Sequence, residues 1–131
     1  MKLLLDTHIW LWGLLDPDRL TAVVKKAVLA PENEIWLSAI SVWEALVLSE
    51  KGRIDLKGDA DAWVGRALDR MPVREAPISI EIARESRRIK LPHEDPADRF
   101  LAATARVLEL TLVTADRRLL RTKNLKVLPN V

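Results

Sequence analysis

The chain has 131 residues, 49% of them hydrophobic, and no cysteine. That suits one domain around one core and rules out a disulfide framework or a thiolate zinc site, so any metal must rest on oxygen or on the two histidines. The apolar runs are too short to cross a bilayer and no export signal is recognisable, so the expectation is a soluble, cytoplasmic protein without membrane association, while the formal net charge of +2 excludes nothing by itself.

In chain order, Lys2 to Leu5 is a short apolar run that stops on Asp6, the pattern of a fully buried strand. Helices are predicted over His8 to Leu15 and Leu20 to Leu29, divided by a DPDR turn and stopped at Pro31. Ile35 to Ser38 is a second strand. From Ile40 to Lys51 the apolar residues Ile40, Trp43, Leu46 and Val47 recur at helical spacing until Gly52 ends the run, and Asp59 to Arg70 is a helix by the same test. Ile78 to Ile80 fits either a third strand or the entry to a helix from Glu81 to Ile89. A strongly periodic helix follows over Ala97 to Leu110, then strands at Leu112 to Thr114 and Lys126 to Leu128.

Strands alternating with helices predict a short central parallel sheet flanked by helices, an α/β three-layer sandwich over residues 1–131 as one domain. Such sheets bind ligands beyond the carboxyl ends of their strands. Asp6 follows the first strand and Asp116 follows the strand at Leu112 to Thr114, so both acids are expected at that edge.

Two further acids bear on the same edge. Glu44, within AISVWEALVL, sits among residues expected to pack, where a charge is costly unless paired or bound to a cation; the plainer reading puts it at the margin of the apolar stripe. In HEDPADRFLAATA, Asp95 reads as the helix N-cap with Pro96 at the first helical position, and Asp98 in the first turn favours the helix dipole. Asp98 also heads the face of small and apolar residues that should meet the sheet. Asp6 and Asp116 have a plainer reading too, as helix caps. Together, however, Asp6, Glu44, Asp98 and Asp116 would crowd like charge at one sheet end, which raises pKa values and opposes folding unless a cation intervenes. Oxygen ligands without sulfur favour Mg²⁺ or Mn²⁺, ions that activate water and stabilise the charge of a phosphodiester transition state.

Between Arg84 and Lys126 basic residues outnumber acids, a bias that fits a polyanionic partner as well as it fits solvated helix faces. Trp10 and Trp12 diverge by about 200° on a regular helix. One of them is therefore expected at the surface, at a core edge, a dimer interface or a groove for a peptide.

The blocks LLLDTHIWLW, LSAISVWEAL, KGRIDL, LPHEDPADRFLAATA and TLVTADRRL, in order over nearly the whole chain, resemble the PIN-domain family, and within it the VapC-type toxins of toxin-antitoxin pairs. The resemblance implies a Mg²⁺- or Mn²⁺-dependent endoribonuclease whose acidic site falls on Asp6, Glu44, Asp98 and Asp116, with Asp6, Asp98 and Asp116 as metal ligands and Glu44 binding metal or orienting water. Thr114 matches the Thr or Ser that orients a carboxylate or water two residues before the last acid. The expected reaction is hydrolysis by a metal-activated water, leaving a 5′-phosphate and a 3′-hydroxyl. Arg99, Arg117 and Arg118 are the nearest candidates for RNA phosphate contacts. Implied partners are RNA, a VapB-like antitoxin inserting a peptide at the active-site groove, and a second copy in a homodimer. Asp95 is left as a cap, His93 as a loop residue and His8 as a packing or turn residue. A haloacid-dehalogenase-like phosphatase would want an Asp where His8 stands, and a receiver domain would want an acidic pair where LDTH has one acid. The remaining rival is a PIN fold that grips RNA or antitoxin without cutting.

Overall fold

The computed structural model describes residues 1–92 and 94–131. Its five strands, β1 (Lys2–Leu5), β2 (Glu34–Ser38), β3 (Arg74–Ala76), β4 (Thr111–Thr114) and β5 (Val127–Pro129), form one sheet in the order β3-β2-β1-β4-β5, every pair parallel. The helices are α1 (Thr7–Leu15), α2 (Ala22–Leu29), α3 (Ala39–Glu50), α4 (Ala60–Arg70), α5 (Ile80–Arg88), α6 (Pro96–Val107) and α7 (Arg117–Leu120), with a 3₁₀ turn at Pro17–Arg19. This is the expected α/β sandwich with a central parallel sheet.

Strand alternation separates two cores. Leu3, Leu5, Leu37 and Val113 meet Ile9 and Trp10 of α1, Val24 of α2, Ala45 of α3 and Val64 of α4 on one face. Leu4 and Leu112 meet Leu101, Ala102 and Ala105 of α6 and Leu119 of α7 on the other. Central strands buried on both faces must read as continuous apolar runs, which is why Leu3, Leu4 and Leu5 follow one another in β1.

The sequence left the third strand open between a strand and a helix entry at 78–80, and the structure places it earlier. β3 is Arg74–Ala76, while Ser79 caps α5 by accepting a hydrogen bond from Ile82 N, so Ile78 and Ile80 belong to the entry of that helix. Helix α6 ends at Val107, short of the expected Leu110. Glu109 adopts a left-handed conformation (φ 55°) and Leu110 N donates to Ala105 O at 2.8 Å, a closure that ends the helix and delivers Leu110 into the core.

The chain runs outward from β1 through β2 to β3, then returns to place β4 on the other side of β1. The strand order therefore reverses between β1 and β4, and crevices at such reversals are where open parallel sheets bind ligands.

Candidate active site

Asp6 leaves the end of β1 and Asp116 follows β4, on either side of this reversal. A cleft of about 450 Å³ lies there, lined by Asp6, Glu44, Asp98 and Asp116 together with His8, Trp12, Asp95 and Arg118. The four acids expected at one sheet edge are thus brought together, each from a different part of the chain.

Asp6 is the deepest, 7% exposed, with its backbone N–H donating to Val113 O at 3.0 Å. It stands at the N-cap of α1 but makes no side-chain cap bond, so the capping reading does not explain it. Its carboxylate instead accepts a 2.7 Å hydrogen bond from the buried Thr114 hydroxyl, whose oxygen in turn accepts from Asp116 N at 3.0 Å. One threonine on β4 therefore fixes two of the acids. Beside Asp6, Thr7 donates its hydroxyl to Ser41 Oγ at 2.9 Å, tying the start of α1 to α3, the helix that carries Glu44.

Burial pushes the Asp6 carboxyl up to about 6; the Thr114 hydrogen bond opposes that rise, the charges of Asp98 and Glu44 add to it, and His8 opposes it. Asp98 is 9% exposed in the first turn of α6, behind the Asp95 cap, which accepts from Ala97 N and Asp98 N as expected. Glu44 is half-buried on α3 at the cleft wall. Asp116 does cap α7, accepting from Arg118 N at 2.8 Å.

Arg118 closes the cleft. Its guanidinium lies 3.0 and 3.3 Å from the two Asp116 oxygens and 3.8 Å from Asp98 Oδ2. The other two arginines named for phosphate contact are not in the cleft. Arg117 is exposed on α7 and does not line it. Arg99 is instead buried: it is 8% exposed, its guanidinium donating to Ser86 O at 2.9 Å, Ile89 O at 3.0 Å and Glu94 Oε1 at 3.0 Å. It holds the end of α5 to α6 and has no face for a phosphate.

His8 and Trp12 were not singled out for the site, yet both line the cleft. His8 is exposed rather than packed, its ring 5.8 Å from that of Trp12, and the Arg19 guanidinium lies 4.1 Å from the Trp12 ring centroid. The signal was present: positions 8 and 12 share a helical face immediately after Asp6. The more exposed tryptophan is Trp43, at 53%. His93 lies outside the described residues.

As a donor set the cleft is all oxygen, apart from His8. Among the described residues no three acids or histidines close into a tight cage around one point. The upward displacement of the Asp6 carboxyl comes first from its burial, to which the neighbouring charges of Asp98 and Glu44 add.

The model of the PIN-domain family matches residues 3–125. A protein named ribonuclease VapC22, from Mycobacterium tuberculosis (strain ATCC 25618 / H37Rv), is 34% identical over 119 residues, 88% of either chain. Among solved structures, VapBC2 from Rickettsia felis, bound to a DNA fragment from its promoter, superposes with a TM-score of 0.74 at 20% identity, covering 98% of both chains. DNA-bound VapBC from Salmonella typhimurium superposes with a TM-score of 0.74 at 17% identity, covering 100% of this chain and 99% of that one. At these identities the two structures speak for the fold alone.

Proposed function

The chain belongs to the PIN-domain family, and we propose that it is a metal-dependent endoribonuclease, the toxin of a toxin-antitoxin pair, with residues 1–131 acting as a single nuclease domain. The observation that carries this is the meeting of Asp6, Glu44, Asp98 and Asp116 in one cleft where the strand order reverses. The relative named a ribonuclease supports the reaction class, and an antitoxin is taken as the partner by analogy with the VapBC complexes that share the fold.

Asp6, Asp98 and Asp116 would hold Mg²⁺ or Mn²⁺ directly or through water, and Glu44 would bind the ion or orient the attacking water. The ion, when bound, supplies an activated water and stabilises the negative charge that builds on the phosphodiester. The chain's own part is positional. Thr114 donates to Asp6 and accepts from the Asp116 backbone, so the two carboxylates keep a fixed relation while substrate enters. Arg118, already beside Asp98 and Asp116, stands where it reaches a phosphate at the cleft mouth. Trp43 is the kind of exposed aromatic that a second copy or an antitoxin segment would cover. No described helix is long and apolar enough to cross a membrane.

The test is cleavage of a mixed cellular RNA pool with Mn²⁺, Mg²⁺ or EDTA beside an Asp98→Asn control, with product ends mapped. Cutting should require metal, leave 5′-phosphates and fall about 100-fold or more in the mutant, at or beyond the loss caused by removing even an outer partner of a metal ligand. Equal behaviour of wild type and mutant across several RNA classes, with RNA still bound, would replace this reading with a non-catalytic binding module.

A further inference from the structure

We propose that a basic trough beside the acidic cleft is a phosphate track that holds the RNA strand beyond the cut. The inference rests on the nuclease reading for the identity of its ligand. The trough, about 660 Å³, is lined by Arg88 at the end of α5, Lys90 just after it, Arg106 on α6, Arg118 on α7, and Arg121 and Lys123 in the turn that follows. No acid lines it. Glu85, which is not a lining residue, pairs with Arg88 at 3.8 Å and with Arg106 at 3.3 Å, while among the described residues Lys90, Arg121 and Lys123 make no ion pair.

Three observations point to a nucleic-acid backbone. The trough shares Arg118 with the acidic cleft, so a strand whose phosphate sits over the carboxylates continues onto the cations without a break. Its remaining lining among the described residues is Thr122, Asn124 and Pro92, which offers hydrogen bonds to phosphate and sugar but no large apolar or aromatic side chain of the kind that anchors a protein partner. The cations also come from separate elements, α5, α6, α7 and the turn after it, and line one concavity rather than a single solvated helix face. Contacts of this kind position a strand without reading its sequence. They act on affinity and salt dependence rather than on the chemical step.

The test uses the exposed pair Arg121→Gln/Lys123→Gln, whose side chains touch none of the four acids, with Lys26→Gln/Lys51→Gln as a control of equal charge change elsewhere. Binding of a fluorescent single-stranded RNA is followed by anisotropy in EDTA across a salt series. The trough variant should bind roughly five- to tenfold more weakly, with the slope of log K against log salt smaller by about 1.4, two single-strand phosphate contacts at about 0.7 each. With Mn²⁺, KM for a long RNA should rise while kcat stays. Binding and slope matching the control would overturn the track. So would unchanged RNA binding with loss of a polyglutamate peptide, which would make the trough a protein-docking face. Because the binding arm needs no metal, wild-type protein that bound RNA through the trough but never cut would refute the nuclease reading and leave the track standing.

Discussion

At one end of the sheet the cleft gathers carboxylates from the residue after β1, from α3, from α6 and from the turn after β4; beside it, the trough gathers cations from α5, α6, α7 and the turn beyond. The acids are drawn inward, Asp6 and Asp98 less than a tenth exposed, whereas Arg88, Arg121 and Lys123 stand in solvent. Like charge in solvent is screened and costs little; like charge under cover is not. The charge gathered in the cleft therefore opposes folding, and the charge gathered in the trough does not. Breaking each in turn should give opposite signatures, stability on the acidic side and affinity on the basic side.

The largest of these effects is expected at Asp6. Its folded carboxyl titrates near 6 and its unfolded one near 3.8, so between those values the native state binds the extra proton and stability falls as pH rises. The penalty is absent below about pH 4 and complete above about pH 6. Asp6→Asn keeps an acceptor for Thr114 and removes the charge. In EDTA, urea denaturation at pH 7.5 should show the mutant more stable by up to roughly 3 kcal/mol, a displacement of about two pKa units, with no gain at pH 4. A mutant less stable than wild type at both pH values would make Asp6 a structural residue.

Arg99 sharpens the comparison from the other side, as a cation that is not part of the trough. Its guanidinium satisfies the carbonyls of Ser86 and Ile89 at the end of α5. Arg99→Met should cost about 1–3 kcal/mol, the penalty for buried acceptors left without donors, and leave the salt slope of RNA binding unchanged. Thermal unfolding and the anisotropy series check the two halves separately. A reduced slope in a stable mutant would return Arg99 to the phosphate-binding set.

Arg99 also shows where the sequence stops being legible. Its charge was visible, but its burial depends on carbonyls ten and thirteen residues away that only the docking of α5 on α6 supplies. Asp6 and Asp116 were legible because a doubly buried strand must be apolar, so an acid at its end stands out. β3 was not, because an edge strand pairs on one side only: Arg74 and Glu75 face solvent, only Ala76 is buried, and the apolar Ile78 and Ile80 nearby drew the assignment away. Helix α7, four residues long, is too short to show a period. The excess of cations after Arg84 could be counted, but its division into a trough, a buried clamp at Arg99 and free surface is a property of tertiary structure.

Arg118 belongs to both regions, and its replacement should give the smallest and most diagnostic change. The neighbouring Asp116 carboxylate holds its guanidinium firmly protonated, so it stands as a fixed positive charge between Asp116 and Asp98. A metal ion drawn to those carboxylates competes with it, while a phosphate arriving along the trough gains from it. Arg118→Gln should therefore tighten Mn²⁺ binding and weaken RNA binding, each by only a few-fold because the guanidinium is about half exposed and water screens it. Calorimetric titration with Mn²⁺ and anisotropy in EDTA read the two effects independently. Weakening of both would mean that Arg118 chiefly orients Asp116 through its hydrogen bonds, and the two regions would then be coupled by structure rather than by charge.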